Sequence, residues 1–589
     1  MRYFHIILMG NNKPIFSALT RVVVLLPSVF CAFMAVAQTS LQERLNHVLE
    51  TQDMEMGIKL YNEITEADLV QLPDSVLFDY HYLGGYINSE KPNHEKAIAH
   101  LLEAKKLCDT SLGTHSGVYM EIMRGLGDEY VELGQYEEAL AIYQEGIVKS
   151  TYMRTAASHD FGNLIMGVQE CYEHMGWYNE VPAHLMDAWS FWNKEEKPLV
   201  TYTYYPLWCL HQFYRRYEMY DNAIRVSDEI VKFITEQAGP NYPILAEELY
   251  FRGNTLSDMG RTEEAIEAYH KGLLILESNK LEYNEEYSYN SILGNLLIAL
   301  IKSERWDDSD IVLNKIKNYG TVMSNDDIYT SALTAIAFVL YNNGHYDRAL
   351  KFNTELLGYP LSPERKQTAD RQQEEILYSQ EVLNAIPELV NLMNNNTVAS
   401  DEWFDAAFKL TSAYFRKKET EKYMVLLDSM YQAIPSNSSA RDEYLVAILG
   451  TLFNVSLDNA NYDLALKYAN EKWEYVSTLQ DVPKRYKFDC INNIVVAKLK
   501  SNKLDGIYYD LDRAIELCRA VFGEESEAYA IQLHNRGRAF QLDSKYDKAK
   551  HNYLDAIALH TKVKGSPMAK TVQYLMETNN QITDAELDL

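Results

Sequence analysis

Five stretches of this sequence lie over one another without a gap. GQYEEALAIY begins at Gly134, GRTEEAIEAY at Gly260 and GHYDRALKFN at Gly344, with ANYDLALKYA at Ala460 and SKYDKAKHNY at Ser544. Each opens on a turn residue, has an aromatic or polar residue two places on, alanine five on and commonly tyrosine nine on. With the third residue of each block as a marker, the series runs His94, Tyr136, Tyr178, Tyr220, Thr262, Trp306, Tyr346, Thr420, Tyr462, Leu504 and Tyr546. Seven of its ten intervals are 42 residues, and the others are 44, 40 and 74. A fixed period of this length marks stacked supersecondary units that bury their apolar faces on one another. A single conventional core is in any case too small for 589 residues.

Each unit reads as two helices. In the first, apolar or small residues recur at i, i+3, i+4 and i+7, as in Met123, Leu126, Gly127 and Tyr130, or Leu207, Leu210, His211 and Tyr214. Gly134, Gly176, Gly260 and Gly344 stand where that helix must stop, and glycine tolerates the left-handed backbone of a helix C-terminus. Acidic pairs such as Glu137-Glu138 and Glu263-Glu264 then complement the dipole of the next helix. Ala139, Ala223, Ala265, Ala349, Ala465 and Ala549 let the two helices approach. Only 15 prolines and 26 glycines interrupt the chain, as long helices with short connections require.

The pattern Leu126-Gly127, Tyr130, Gly134, Tyr136, Ala139, Tyr143 and Gly146 resembles the tetratricopeptide repeat family. The 42-residue spacing is similar to the long form found in kinesin light chains and related bacterial arrays, and so are the linkers Ala238–Leu249 and Val521–Leu533. The resemblance covers residues 80–575 and implies an all-α, right-handed α-solenoid of about eleven stacked antiparallel helix pairs. It places Tyr130, Tyr136, Tyr143, Tyr172, Tyr178, Tyr214, Tyr220, Tyr269, Tyr346, Tyr462, Tyr546 and Tyr553 in the core, which accounts for many of the chain's 44 tyrosines. Where the small residue of the first helix is replaced by Gln169, His211, Leu297, Phe453 or Val495, less regular packing is expected.

The organisation expected is an export signal at 1–37, capping helices at 38–80 and a first repeat block at 81–360. A degenerate repeat or kink at 361–400, a second block at 401–575 and a tail at 576–589 follow. The signal rests on the basic Lys13 and Arg21, the apolar run Val22 to Val36 and the small–x–small triplet Ala35-Val36-Ala37. That run is too short to span a bilayer as a helix, so a periplasmic, surface or secreted bacterial protein with no membrane span after signal removal is expected. Five cysteines beyond it (Cys108, Cys171, Cys209, Cys490, Cys518) have no metal-type spacing and read as small buried residues, one disulfide remaining open.

Net charge is −29, and since residues 1–37 hold three basic residues and no acid, the rest carries −32. A field of that sign disfavours nucleic acid and anionic lipid. There is no phosphate-binding loop, nucleophile elbow, zincin helix or calcium loop, so no catalytic residue, metal or cofactor is assigned. Asp160-Phe161-Gly162 lacks every other element of a kinase, and Cys171 with His174 lacks further ligands. What the resemblance implies is binding: a protein or peptide ligand in a concave groove lined by the first helices. Family groove positions map onto Arg124, Asp128, Met166, Glu170 and Ser257, and above all onto Tyr205, Trp208, Gln212, Arg215, Tyr250 and Asn254. These six are the candidate recognition patch, because Trp, Tyr and Arg dominate binding hot spots; Phe408, Phe415, Asn454 and Arg538 are second-block candidates. The alternatives are a sensor or regulatory ectodomain, and an enzyme built in a helical array.

Overall fold

The computed structural model describes residues 41–587 apart from 52, 71, 115–116, 151–157, 194–202, 280–285, 323–324 and 435–439. The export segment expected at 1–37 lies outside the described residues. Among the described residues every regular element is helical, and about a dozen antiparallel helix pairs follow one another as a solenoid. They form two compact units, residues 1–167 and 168–589.

The backbone keeps the period more faithfully than the side chains do. Two residues before each marker the chain takes positive φ: Gly134 at 71°, Gly176 at 74°, Gly260 at 75° and Gly344 at 82°. Glu218, Glu304, Lys418, Ala460, Asn502 and Ser544 do the same at 54–60°, and Pro92 stands at 28°. The next residue donates its N–H five residues back, as Gln135 does to Tyr130 at 2.8 Å and Arg261 to Leu256 at 2.9 Å. That bond satisfies a carbonyl the ending helix would otherwise leave open. The linkers between pairs need glycine for a stricter reason. Gly239 (φ 93°, ψ 163°) and Gly523 (φ 83°, ψ 167°) close the second helices Tyr220–Ala238 and Ile507–Phe522 in a region that side chains do not enter.

Within a pair, a small residue on the first helix lies under a large one on the second. A Cβ on Gly127 would stand 2.1 Å from the Tyr143 ring, one on Gly253 2.4 Å from Tyr269, and one on Gly537 2.7 Å from Tyr553. These three tyrosines are almost wholly buried, which contributes on the order of 2–3 kcal/mol each. All twelve tyrosines assigned to the core from sequence are buried or half-buried. The five cysteines from Cys108 onward are buried, and none of them forms a disulfide.

The unit around His211, where the sequence suggests less regular packing, is inverted. The large residue stands on the first helix and the small Ser227 at the tyrosine position. Both touch the same carboxylate oxygen of Glu248, His211 Nδ1 at 3.2 Å and Ser227 Oγ at 2.6 Å. Phe453 is matched in the same register by Ala469, both buried. Total volume is conserved while its donors exchange places.

The 74-residue interval is filled by the helices Pro363–Asn384 and Ile386–Asn395, joined at Ala385 (φ −76°) without a left-handed turn. The apolar core divides here: one cluster extends from Leu207 to Ile376 and the next begins at Leu389. Arg416 bridges the division, bonding Ser379 Oγ at 2.6 Å, lying over the Tyr378 ring at 5.1 Å and lending its carbonyl to Tyr346. In unit 1, residues 41–51 and the helices Met54–Glu63 and Asp74–Glu90 share a small core of Leu45, Val48, Leu60, Val76, Leu83 and Ile87. Helix Ala569–Leu587 runs through the boundary expected at 575/576.

Candidate partner-binding groove

In unit 2 the first helices of successive pairs pack directly on one another, Ile244–Asp258 on Glu286–Lys302 and that in turn on Asp326–Asn342. The second helices make at most marginal contact with each other, so they stand farther apart and the first helices line the inner side of the curve. This concave side carries the candidate patch.

Tyr205, Trp208, Gln212 and Arg215 recur along helix Tyr205–Arg216 at the spacing that keeps them on one face. Pro206 at its start costs no hydrogen bond there. Tyr205 and Trp208 stack at 5.4 Å, and Trp208 meets the edge of Phe251 at 5.9 Å on the next first helix. Phe251 also meets Tyr250 at 5.2 Å, so four aromatic rings link the two helices. Arg215 reaches Asp258 at 3.0 Å, with the two side chains 30% and 42% exposed; screening keeps such a pair weak, and its role is to aim the guanidinium. The Arg215 Nε and the Gln212 Nε2 are buried without a hydrogen-bond partner. Burial holds the phenol of Tyr205 well above its usual range and pushes the thiol of Cys209, beneath it, up to about 12, so that cysteine is inert.

Asn254 is set differently from the other five. It is buried, and its carbonyl oxygen accepts from Tyr269 OH at 2.8 Å and from Asn295 Nδ2 at 2.6 Å. Its acceptor therefore ties three helices together, and only its N–H groups could serve a ligand. Sequence reasoning missed Phe251, Asp258 and Asn295. Asn295 follows Asn254 by 41 residues and Asp258 follows Arg215 by 43, so searching for polar pairs near the repeat spacing would have found both. It also missed the fully buried His211–Glu248 contact behind the patch, where His211 Nε2 pairs with Thr255 Oγ1 at 3.1 Å.

Of the remaining candidates, Met166 and Phe415 are exposed, while Phe408 is covered by Tyr444 at 5.4 Å. Arg124 and Asp128 pair with each other at 3.0 Å. Arg538 lies over the Tyr574 ring at 4.3 Å, beside His534, which burial and the cations Arg538, Lys500 and Lys570 hold down at about 4. Among the described residues, no three His, Cys, Asp or Glu side chains gather where they could hold a metal ion. No helix there is long and apolar enough to cross a membrane.

Tetratricopeptide repeat models match residues 80–147 and 247–275. No curated protein matches the sequence. Among solved structures, the chain is similar to nearly identical TPR-like repeats of a Podosopora anserina kinesin light chain, at 12% identity and a TM-score of 0.27 over 40% of this chain and 96% of that one. It is similar also to the APC/C hetero-tetramer Cut9–Hcn1, at 13% identity and a TM-score of 0.30 over 86% and 94%. A third is the TPR2AB domain of yeast Sti1 in a pHSP90 complex, at 15% identity and a TM-score of 0.18 over 51% and 99%. With repeats matched at both positions and the same helix-pair register in the described residues between and beyond them, the fold is a stack of tetratricopeptide-like helix pairs.

Proposed function

We propose that this protein is an exported, non-catalytic scaffold of a bacterium that holds a protein or peptide segment in its concave groove. The repeats are read as the 42-residue form resembling kinesin light chain arrays, and export rests on the apolar run Val22 to Val36 ahead of Ala35-Val36-Ala37. The single observation that carries the reading is the half-buried aromatic and guanidinium cluster of Tyr205, Trp208, Tyr250 and Arg215 on the row of first helices. Stacking has already fixed the rotamers of these rings, so binding loses little entropy on ordering them.

Affinity capture with residues 38–589, from envelope extract of the source organism, tests it. A protein retained by the wild type and lost by Trp208→Ala/Arg215→Ala supports the groove, since truncating two hot-spot residues weakens binding by at least about 30-fold. Equal retention by both discards the patch, and no specific partner discards the scaffold. N-terminal sequencing of the mature protein tests export: a start at Gln38 supports it, and an intact start at Met1 or Met9 overturns it.

A further inference from the structure

Unit 2 comes back to its own beginning. Helix Ala569–Leu587 meets the turn of a helix pair 400 residues earlier: Asn179 Nδ2 donates to Met576 O at 3.2 Å and to Asn580 Oδ1 at 3.0 Å. Asn579 Nδ2 returns a bond to Asn179 Oδ1 at 3.0 Å. One turn further along the array, Gln573 Nε2 bonds the carbonyl of Tyr217. Leu554 covers the turn itself, its Cδ2 standing 2.7 Å from where a Cβ on Gly176 would be.

Asn179 shows that this seam is a specific contact. It stands at the N-cap of helix Glu180–Trp192, where an asparagine ordinarily bonds the helix's own open N–H groups. Its side chain makes no such bond and is given to the seam instead.

The seam is also built unlike most junctions between successive pairs among the described residues. Successive pairs are joined by apolar core, continuous on either side of the division between Ile376 and Leu389, and by ion pairs such as Arg216–Glu173, Arg305–Glu263, Arg365–Asp327 and Lys503–Asp463. Across the seam the described bonds are amide to amide or amide to carbonyl, with Leu554 as apolar cover, and Asn579 Oδ1 is left buried without a partner. A junction held by a few polar bonds opens before one held by apolar core.

We propose that helix Ala569–Leu587 is a latch: it closes unit 2 on itself through the turns at 176–179 and 217, and its release opens the concave face to a partner. The array opens at this seam while its helix pairs stay folded.

Spin labels at Glu180→Cys and Thr583→Cys, both exposed and flanking the seam, test this in the chain 38–589 by pulsed dipolar spectroscopy. The native cysteines are buried and stay unlabelled. Closure gives one short, narrow distance. Adding Asn179→Ala/Gln573→Ala should shift the ratio of closed to open form about tenfold toward a long, broad distribution, with far-UV circular dichroism unchanged. A short distance that persists in the variant overturns the latch, as does a broad one in the parent. If the double variant loses helix, Asn580→Ala at an exposed position replaces it and must shift the ratio in the same direction. None of these readouts uses a partner, so failure of the groove reading leaves them intact.

Discussion

The pair formed by helices Tyr205–Arg216 and Tyr220–Ala238 and the pair formed by Ile244–Asp258 and Thr262–Ser278 are neighbours in the same register, 42 residues apart. In the second, Gly253 lies under Tyr269, whose hydroxyl bonds Asn254 at 2.8 Å. In the first, His211 and Ser227 stand at those places and converge on a carboxylate from the next pair, Glu248. One junction is closed by a ring over bare backbone, the other by a buried polar cluster of the same combined size. The repeat constrains the summed volume across two helices and the backbone turn between them, and leaves open which helix supplies the bulk.

The polar junction should be the easier to break. His211→Ala removes a fully buried ring whose Nδ1 lies 3.2 Å from the Glu248 carboxylate, Ser227 remaining bonded to it. Cavity and unpaired carboxylate together cost about 4 kcal/mol. Hydrogen exchange in residues 205–258 should accelerate accordingly, while residues 462–542 are unchanged. Converting the junction to its neighbour's type with His211→Gly/Ser227→Tyr should recover the packing share, since the new hydroxyl would stand near Gln212 as that of Tyr269 stands near Asn254. The Glu248 share should remain until Glu248→Leu is added. Full recovery by the double variant alone would mean that Glu248 needs no partner.

The apolar junction fails in the opposite sense, by overfilling. In Gly253→Ala the new methyl stands 2.4–2.8 Å from three atoms of the Tyr269 ring. The ring must move, and with it the hydroxyl that holds Asn254. Against the better helix propensity of alanine, the net loss is about 2 kcal/mol. Tyr269→Leu in the same chain should relieve about half of it, because a medium residue on each helix already serves at Leu297 with Leu313 and Val495 with Leu511, all buried. Denaturation of the four chains of this double-mutant cycle measures that coupling, and additivity within about 0.5 kcal/mol would refute the shared-volume account.

Much of this was legible in the sequence, and what was not has identifiable reasons. The period and the turns could be read because Gly134, Gly260 and Gly344 announce them. At Glu218, Lys418 or Ala460 the spacing alone says that a left-handed residue stands there, since residue type says otherwise. The inversion at His211 was misread because the small residue was sought on one helix only. Glu248 was missed because an acid in a helix is ordinarily solvated, and its burial follows from a histidine 37 residues earlier. In the patch, residue types pointed to Trp208 and Arg215, but the fixed acceptor of Asn254 depends on Tyr269 and Asn295, on two further helices. The seam at Asn179 left no trace, because contacts 400 residues apart have no period to follow.

The smallest expected effect separates backbone from side chain in the same two pairs. Glu218 and Gly260 close equivalent first helices, at φ 56° and 75°. Each passes its hydrogen bonds to equivalent carbonyls: Glu218 N to Arg215 O and Met219 N to Tyr214 O, Gly260 N to Ser257 O and Arg261 N to Leu256 O. A side chain in this conformation costs about 1 kcal/mol that glycine avoids, offset by the greater freedom glycine has when unfolded. Glu218→Gly should therefore stabilise its pair by about 0.5 kcal/mol, and Gly260→Ala should destabilise its own by about 1 kcal/mol. No partner contact confuses the first substitution, because Glu218 is exposed and its backbone bonds stay in place. If both substitutions prove neutral, the left-handed turn is imposed by the packing of the two helices at negligible local cost. If the signs hold, the six non-glycine turns at φ 54–60° each hold back a fraction of a kcal/mol, and replacing them by glycine one at a time should raise the urea midpoint in small steps of like size.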